Sequence, residues 1–251
     1  MSTRDKLVEL QETLYRSSNP TRRWLHCSRR DWIINAIENT PRPGNQAALE
    51  VGPGAGVYLP TLARLFEKVV AVDIEEAYLS HLSSVTAMFP NLSVRLDDIT
   101  ESELPDQAFD LVLCTEVVEH IPDSQPAIRE MRRILKPGGV LVLSTPQRYS
   151  PLELTAKIAF LPGIIEVVRL IYKEPVLKTG HINLMTAAEM TRQLTGAGFS
   201  IDASHKSGMY IPLLAEFAGE TALRIEQWFE RHLYGGRFDG LLWTQYYIAR
   251  A

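Results

Sequence analysis

Short runs of apolar residues alternate with helical patterns along most of the chain. Ala47-Ala48-Leu49-Glu50-Val51, Val69-Val70-Ala71-Val72-Asp73, Leu92-Ser93-Val94-Arg95-Leu96, Leu111-Val112-Leu113-Cys114 and Val140-Leu141-Val142-Leu143-Ser144 are the short apolar runs. Such segments read as strands, and their alternation with helical patterns predicts βαβ units and a parallel sheet. Residues of about 4 to 40 predict two helices broken at Ser17-Ser18-Asn19-Pro20, since a proline after small polar residues ends one helix and opens the next. A helix near Thr186 to Ala197, a strand at Phe199 to Ala203, a long helical run to about His232 and a last strand at Leu241 to Ala249 follow.

One segment interrupts the rhythm. From Ser150 to Val176 bulky apolar residues crowd on both sides of Pro162-Gly163, predicting two short helices. The whole is expected to form one unit over residues 1–251. It comprises a helical cap at 1–46, a core at 47–147, an apolar insertion or lid at 148–178 and the remainder of the sheet at 179–251.

Composition adds exclusions. With 251 residues, 45% hydrophobic and 22% charged, the chain can bury a substantial core. It has no uncharged stretch of the ~18 residues a membrane span requires. A formal net charge of -4 gives no general attraction for nucleic acid. Arg22, Arg23, Arg29 and Arg30 form a basic run, which is usually a solvated face. The first residues lack the apolar core of a signal peptide, and only Cys27 and Cys114 are available for a disulfide, so a reducing cytoplasm is expected.

The chemistry begins at Glu50-Val51-Gly52-Pro53-Gly54-Ala55-Gly56. Glycines between a strand and a helix let backbone approach a ligand closely and present helix N–H groups to it. A dinucleotide fingerprint would need glycine at position 57, where the chain has Val57. The compact spacing ending at Gly56 resembles the first motif of class I S-adenosylmethionine-dependent methyltransferases. Leu104-Pro105, Phe109-Asp110 and Leu135-Lys136-Pro137-Gly138-Gly139 continue that resemblance in order.

The resemblance implies a Rossmann-like fold: a mostly parallel seven-stranded sheet with helices on both faces, a helical cap before it and an apolar insertion after the fifth strand. It implies S-adenosylmethionine as cofactor. Glu50 would face its amino group, Asp73 its ribose hydroxyls and Asp98 its adenine amino group, with Ile74, Ile99 and Thr115 beside them. Asp97 is a neighbouring rival to Asp98, and Asp73 can alternatively cap the next helix. Tyr15 and Trp24 are candidate walls over the cofactor, although Trp24 can equally be core.

A second constellation follows the fourth strand, in Cys114-Thr115-Glu116-Val117-Val118-Glu119-His120-Ile121-Pro122. On a helical turn Glu116, Glu119 and His120 would share one face. The segment resembles both the ubiquinone-biosynthesis O-methyltransferases and the small-RNA 2′-O-methyltransferases. In the latter, such a segment holds a divalent metal with a later histidine, here His181. These ligand types suit Mg, Mn, Fe or Zn without choosing among them.

The leading expectation is metal-assisted O-methylation of a small, lipophilic, hydroxylated acceptor, with Glu119, His120 and His181 catalytic. The alternatives are a metal-independent N-, C- or O-methyltransferase using His120 or His181 as base, an RNA 2′-O-methyltransferase, and a binding protein without chemistry. The segment 150–176 can serve as lid, peripheral membrane contact or dimer interface, which leaves monomer and homodimer open.

Overall fold

The computed structural model describes residues 14–159 and 181–251. The first predicted helix and most of the insertion lie outside them. Seven strands form one sheet in the order β3-β2-β1-β4-β5-β7-β6. They are β1 (Ala47–Val51), β2 (Lys68–Asp73), β3 (Leu92–Leu96), β4 (Phe109–Thr115), β5 (Leu135–Pro146), β6 (Ser200–Ser207) and β7 (Thr244–Arg250). Neighbours from β3 through β5 are parallel. β7 is antiparallel to both β5 and β6. The mostly parallel, doubly covered sheet expected from the apolar runs is therefore present.

Alternation along the buried strands divides the core into two layers. Ala48, Ala71, Leu111, Leu113, Val140 and Val142 meet Ile33 and Ile37 of α1 (Pro20–Asn39), Leu59 and Leu62 of α2 (Leu59–Leu65) and Leu79 of α3 (Glu76–His81). Leu49, Val51, Val72, Val112 and Leu143 instead meet the far side, after the short α4 (Ser83–Met88). There they pack on Ile128, Met131 and Ile134 of α5 (Gln125–Ile134) and, past α6 (Pro151–Ala159), on Met190 and Leu194 of α7 (Ala187–Gly196).

Cap chemistry sets the helix boundaries. The Asn19 side chain accepts the Arg22 N–H at 3.1 Å and Pro20 occupies the first turn of α1, where a missing N–H costs nothing. Thr186 and Glu189 form a reciprocal capping box on α7. The long run to His232 is two helices, α8 (Pro212–Phe217) and α9 (Gly219–Leu233). Its continuity fails at Gly219, whose φ is +50°.

The turn after β4 also departs from expectation. Glu116 has a φ of +55° and only Val118–His120 forms a helical turn, of 3-10 type. Glu116, Glu119 and His120 therefore do not share a helical face.

Among the described residues no helix is long and apolar enough to cross a membrane. Cys27 and Cys114 are both free thiols.

Candidate active site

A cleft of about 580 Å³ opens where β1, β2, β3 and β4 end. This is the carboxyl edge of a parallel sheet, the usual ligand position in open α/β folds. Its floor is the glycine turn. Gly52, Gly54 and Gly56 all lie at positive φ, 63°, 51° and 73°, a region costly for residues with a Cβ. Contacts tighten the requirement: a Cβ on Gly52 would stand 2.5 Å from Val117 Cγ2, and one on Gly56 would stand 2.8 Å from Leu82 Cδ2.

The walls hold most of the residues anticipated for the cofactor. Gly52, Gly54, Asp73, Ile74, Asp98 and Ile99 line the cleft, whereas Glu50, Gly56 and Thr115 do not. Asp73 accepts the Glu75 N–H on Oδ1 at 2.9 Å, so it orders the turn leading into α3 while bordering the cleft. Burial raises its pKa. Asp98 Oδ1 receives both the N–H and the hydroxyl of Thr100, at 2.8 and 2.7 Å. Its rival Asp97 also lines the cleft, and its buried Oδ1 lacks a partner. Ile74 is 65% exposed there while Ile99 is buried, which gives an apolar slot between the two carboxylate stations.

Glu50 sits in the interior of the sheet at 1% exposure, with Oε2 unpartnered. Burial alone pushes its carboxyl up to about 8, because removing water disfavours the charged form.

The second constellation converges beside the cleft. Ligand atoms of Glu119, His120 and His181 lie within 4.8 Å of one another, and the two imidazole centroids are 5.2 Å apart. His181 comes to the turn after β4 through its neighbours: the Ile182 and Asn183 N–H groups both donate to the Glu119 carbonyl at 3.0 Å. The Asn183 side chain adds a bond to the Ile121 carbonyl at 2.9 Å and one to Ser124 Oγ at 3.1 Å.

Glu119 is fully buried. Thr145 donates to its Oε2 at 3.0 Å, and among the described residues Oε1 has no partner. Burial, aided by Glu116, raises its pKa well above the ordinary carboxylate range.

Glu116 belongs to a different structure. It lines the cleft but pairs with Arg29 at 2.5 Å and accepts from Ser144 Oγ at 2.9 Å. Its turn conformation takes it out of the histidine cluster. Arg29, whose charged neighbours in sequence imply a solvated face, is instead largely enclosed, its side chain 12% exposed, and lies over the Trp243 ring at 5.3 Å. Burial disfavours its charge, but the adjacent Glu116 carboxylate reverses the net effect and raises its pKa. The other arginines of the run bond Glu216, Ser17 and Asp31. Trp24 packs near Leu25 and Trp243, and Tyr15 meets the His26 ring edge-on; neither lines the cleft.

Two further residues lacked any motif. Glu153 of α6 is buried and contacts His181 Nδ1 through both oxygens at 3.1 Å. Trp243, just before β7, donates its indole N–H to Glu153 Oε1 at 3.2 Å.

Comparisons with known proteins agree with this architecture. Residues 49–143 match the model of a family described as a methyltransferase domain. A complete overlay exists with the crystal structure of an S-adenosylmethionine-dependent methyltransferase from Aquifex aeolicus, covering 100% of this chain and 99% of that one. The TM-score is 0.56 at 14% identity, a likeness of fold. The fold is that of the class I methyltransferases.

Sequence relatives match part of the chain. A Mycolicibacterium smegmatis protein named "Probable S-adenosylmethionine-dependent methyltransferase" is 32% identical over 161 residues, 64% of this chain and 54% of the relative. The ubiquinone biosynthesis O-methyltransferase of Pseudomonas fluorescens is 33% identical over 119 residues, 46% of this chain and 50% of the relative. The chain thus spans about half the length of the curated relatives it matches.

Proposed function

We propose that this protein is an S-adenosylmethionine-dependent methyltransferase that O-methylates a small, lipophilic, hydroxylated acceptor, with a divalent cation held by Glu119, His120 and His181. The observation that carries this reading is the double membership of His120. It lines the cleft walled by the glycine turn, Asp73 and Asp98, and it belongs to the carboxylate–imidazole cluster. A methyl donor in the cleft and an acceptor at the cluster would then meet at one side chain.

Asp73 would accept the ribose hydroxyls and Asp98 or Asp97 the adenine amino group, with Ile74 and Ile99 against the ring. Glu50 suits a positively charged neighbour, since a cation near a buried carboxyl restores its ionised form. S-adenosylmethionine supplies an electrophilic methyl group, so the protein's task is to align the acceptor and remove its proton.

The cation reading rests on chemical fit. Glu119 Oε1 is buried without a partner, a costly condition that a bound ion would relieve. One carboxylate and two imidazoles suit Mg, Mn, Fe or Zn. A divalent ion bound there supplies Lewis acidity that favours the acceptor's alkoxide or phenoxide. The protein contributes the fixed ligand geometry and a partly dry enclosure.

A second reading is favoured by the contact between Glu153 and His181: without a cation, a carboxylate-oriented imidazole is also a general base. Methyl transfer from labelled cofactor to catechols and long-chain phenols, before and after exhaustive chelation, tests both. Activity that is lost with the metal and restored by one divalent ion upholds the first reading. Full activity without metal, abolished by His181→Ala, establishes the second.

A further inference from the structure

We infer that Glu153 is the positioning residue for His181, holding the proton on Nδ1 so that Nε2 is the nitrogen offered to the active site. This rests on the reading of His181 as a working residue of the acceptor site, in either form given above, and makes a separate demand on the ring.

Three observations converge. Glu153 is buried at 5% exposure, yet both of its oxygens face a single ring nitrogen, His181 Nδ1, at 3.1 Å. The Trp243 indole N–H donates to the same carboxylate at 3.2 Å, which fixes it from a second direction. His181 is meanwhile anchored next door, where the Ile182 N–H donates to the Glu119 carbonyl at 3.0 Å.

A carboxylate acts only as an acceptor, so Nδ1 must carry the proton. A neutral imidazole then has one lone pair left, on Nε2, and this is what a cation or an acceptor hydroxyl can use. A carboxylate behind a histidine both selects the tautomer and raises the basicity of the distal nitrogen. The two ends of the apolar insertion are thereby joined: Glu153 lies on the helix that enters it and His181 follows it directly.

A purely structural role for Glu153 would predict altered stability and nothing at the ring. The test uses the full chain with 15N-labelled histidine, with His181 assigned by its absence in His181→Gln, together with Co²⁺ titration by calorimetry. Wild type is expected to show His181 protonated on Nδ1. Glu153→Leu should move the population toward the Nε2-protonated form and weaken Co²⁺ binding about 10–100-fold. Glu153→Gln, which keeps an acceptor oxygen without the charge, should retain the tautomer and weaken Co²⁺ binding less, by about threefold to tenfold.

A folded Glu153→Leu protein with an unchanged His181 tautomer overturns the inference. Should Glu153→Leu fail to fold, Co²⁺ binding by Glu153→Gln equal to wild type overturns it instead. Wild type that binds no Co²⁺ but loses the Nδ1–H tautomer in Glu153→Leu refutes the cation reading and supports the role of Glu153.

Discussion

The two halves of the site are built in opposite ways. The proposed donor side is built from short local segments: backbone at Gly52 and Gly54 of the turn after β1, and Asp73 and Asp98 at the next two strand ends. The proposed acceptor side is made of side chains from distant positions, with Glu119, His120, Glu153, His181 and Trp243 meeting only after folding. A surface shaped by backbone conformation suits one unvarying ligand. A surface shaped by side chains can be rebuilt for different acceptors without disturbing the first.

That separation can be broken experimentally. The largest effect is expected from Gly52→Val, where positive φ and the approach to Val117 coincide. Binding of S-adenosylhomocysteine should fall below detection by calorimetry. Retained affinity would show that backbone shape is not what defines the donor side. Next in size, Glu119→Gln should lower turnover on the order of 100-fold while leaving S-adenosylhomocysteine affinity within about twofold. A parallel loss of cofactor affinity would mean the two halves are one.

Arg29→Met sharpens the boundary between them, since Arg29 joins the cap helix to the cleft-lining Glu116. Leaving that carboxylate without its partner should cost about 2 kcal/mol, below the value for a fully buried pair because both side chains keep some exposure. Urea denaturation measures it, and adding Glu116→Gln should recover part of the loss.

A further prediction concerns pH. Burial raises the Glu50 carboxyl from 4.5 to about 8 in the folded chain, so the folded state holds this proton more tightly than the unfolded state does. Its contribution is complete below about pH 4.5 and is lost as pH rises through about 8. The urea midpoint of the cofactor-free protein should decline across that window, and Glu50→Gln should flatten the decline. An identical slope in the variant would place the effect elsewhere.

The same contrast explains what could be read in advance. Five strands and the glycine turn are legible because their determinants are local: apolar runs, glycine spacing and a carboxylate at a strand end. The histidine pair was also recoverable, since Glu119-His120 and His181 stand in recognisable segments. Glu116 was misplaced because a helical periodicity was assumed for a turn in which its φ is positive. Arg29 was read from charged neighbours, whereas burial against Trp243 and Glu116 decides its role. Glu153 and Trp243 have no local signature: their pairing spans 90 positions, and only the route of β7 back into the sheet brings them together.

That route has a bearing on how the protein is made. Among the described residues β6 has β7 as its only neighbour in the sheet, and β7 separates it from β5. During synthesis the first five strands can pair as they emerge, but β6 must wait for a strand translated after it. Trp243 immediately precedes that strand. The cleft at the ends of β1 to β4 can thus be in place on a nascent chain while the carboxylate behind His181 still lacks its indole partner, and the proposed acceptor side is finished last.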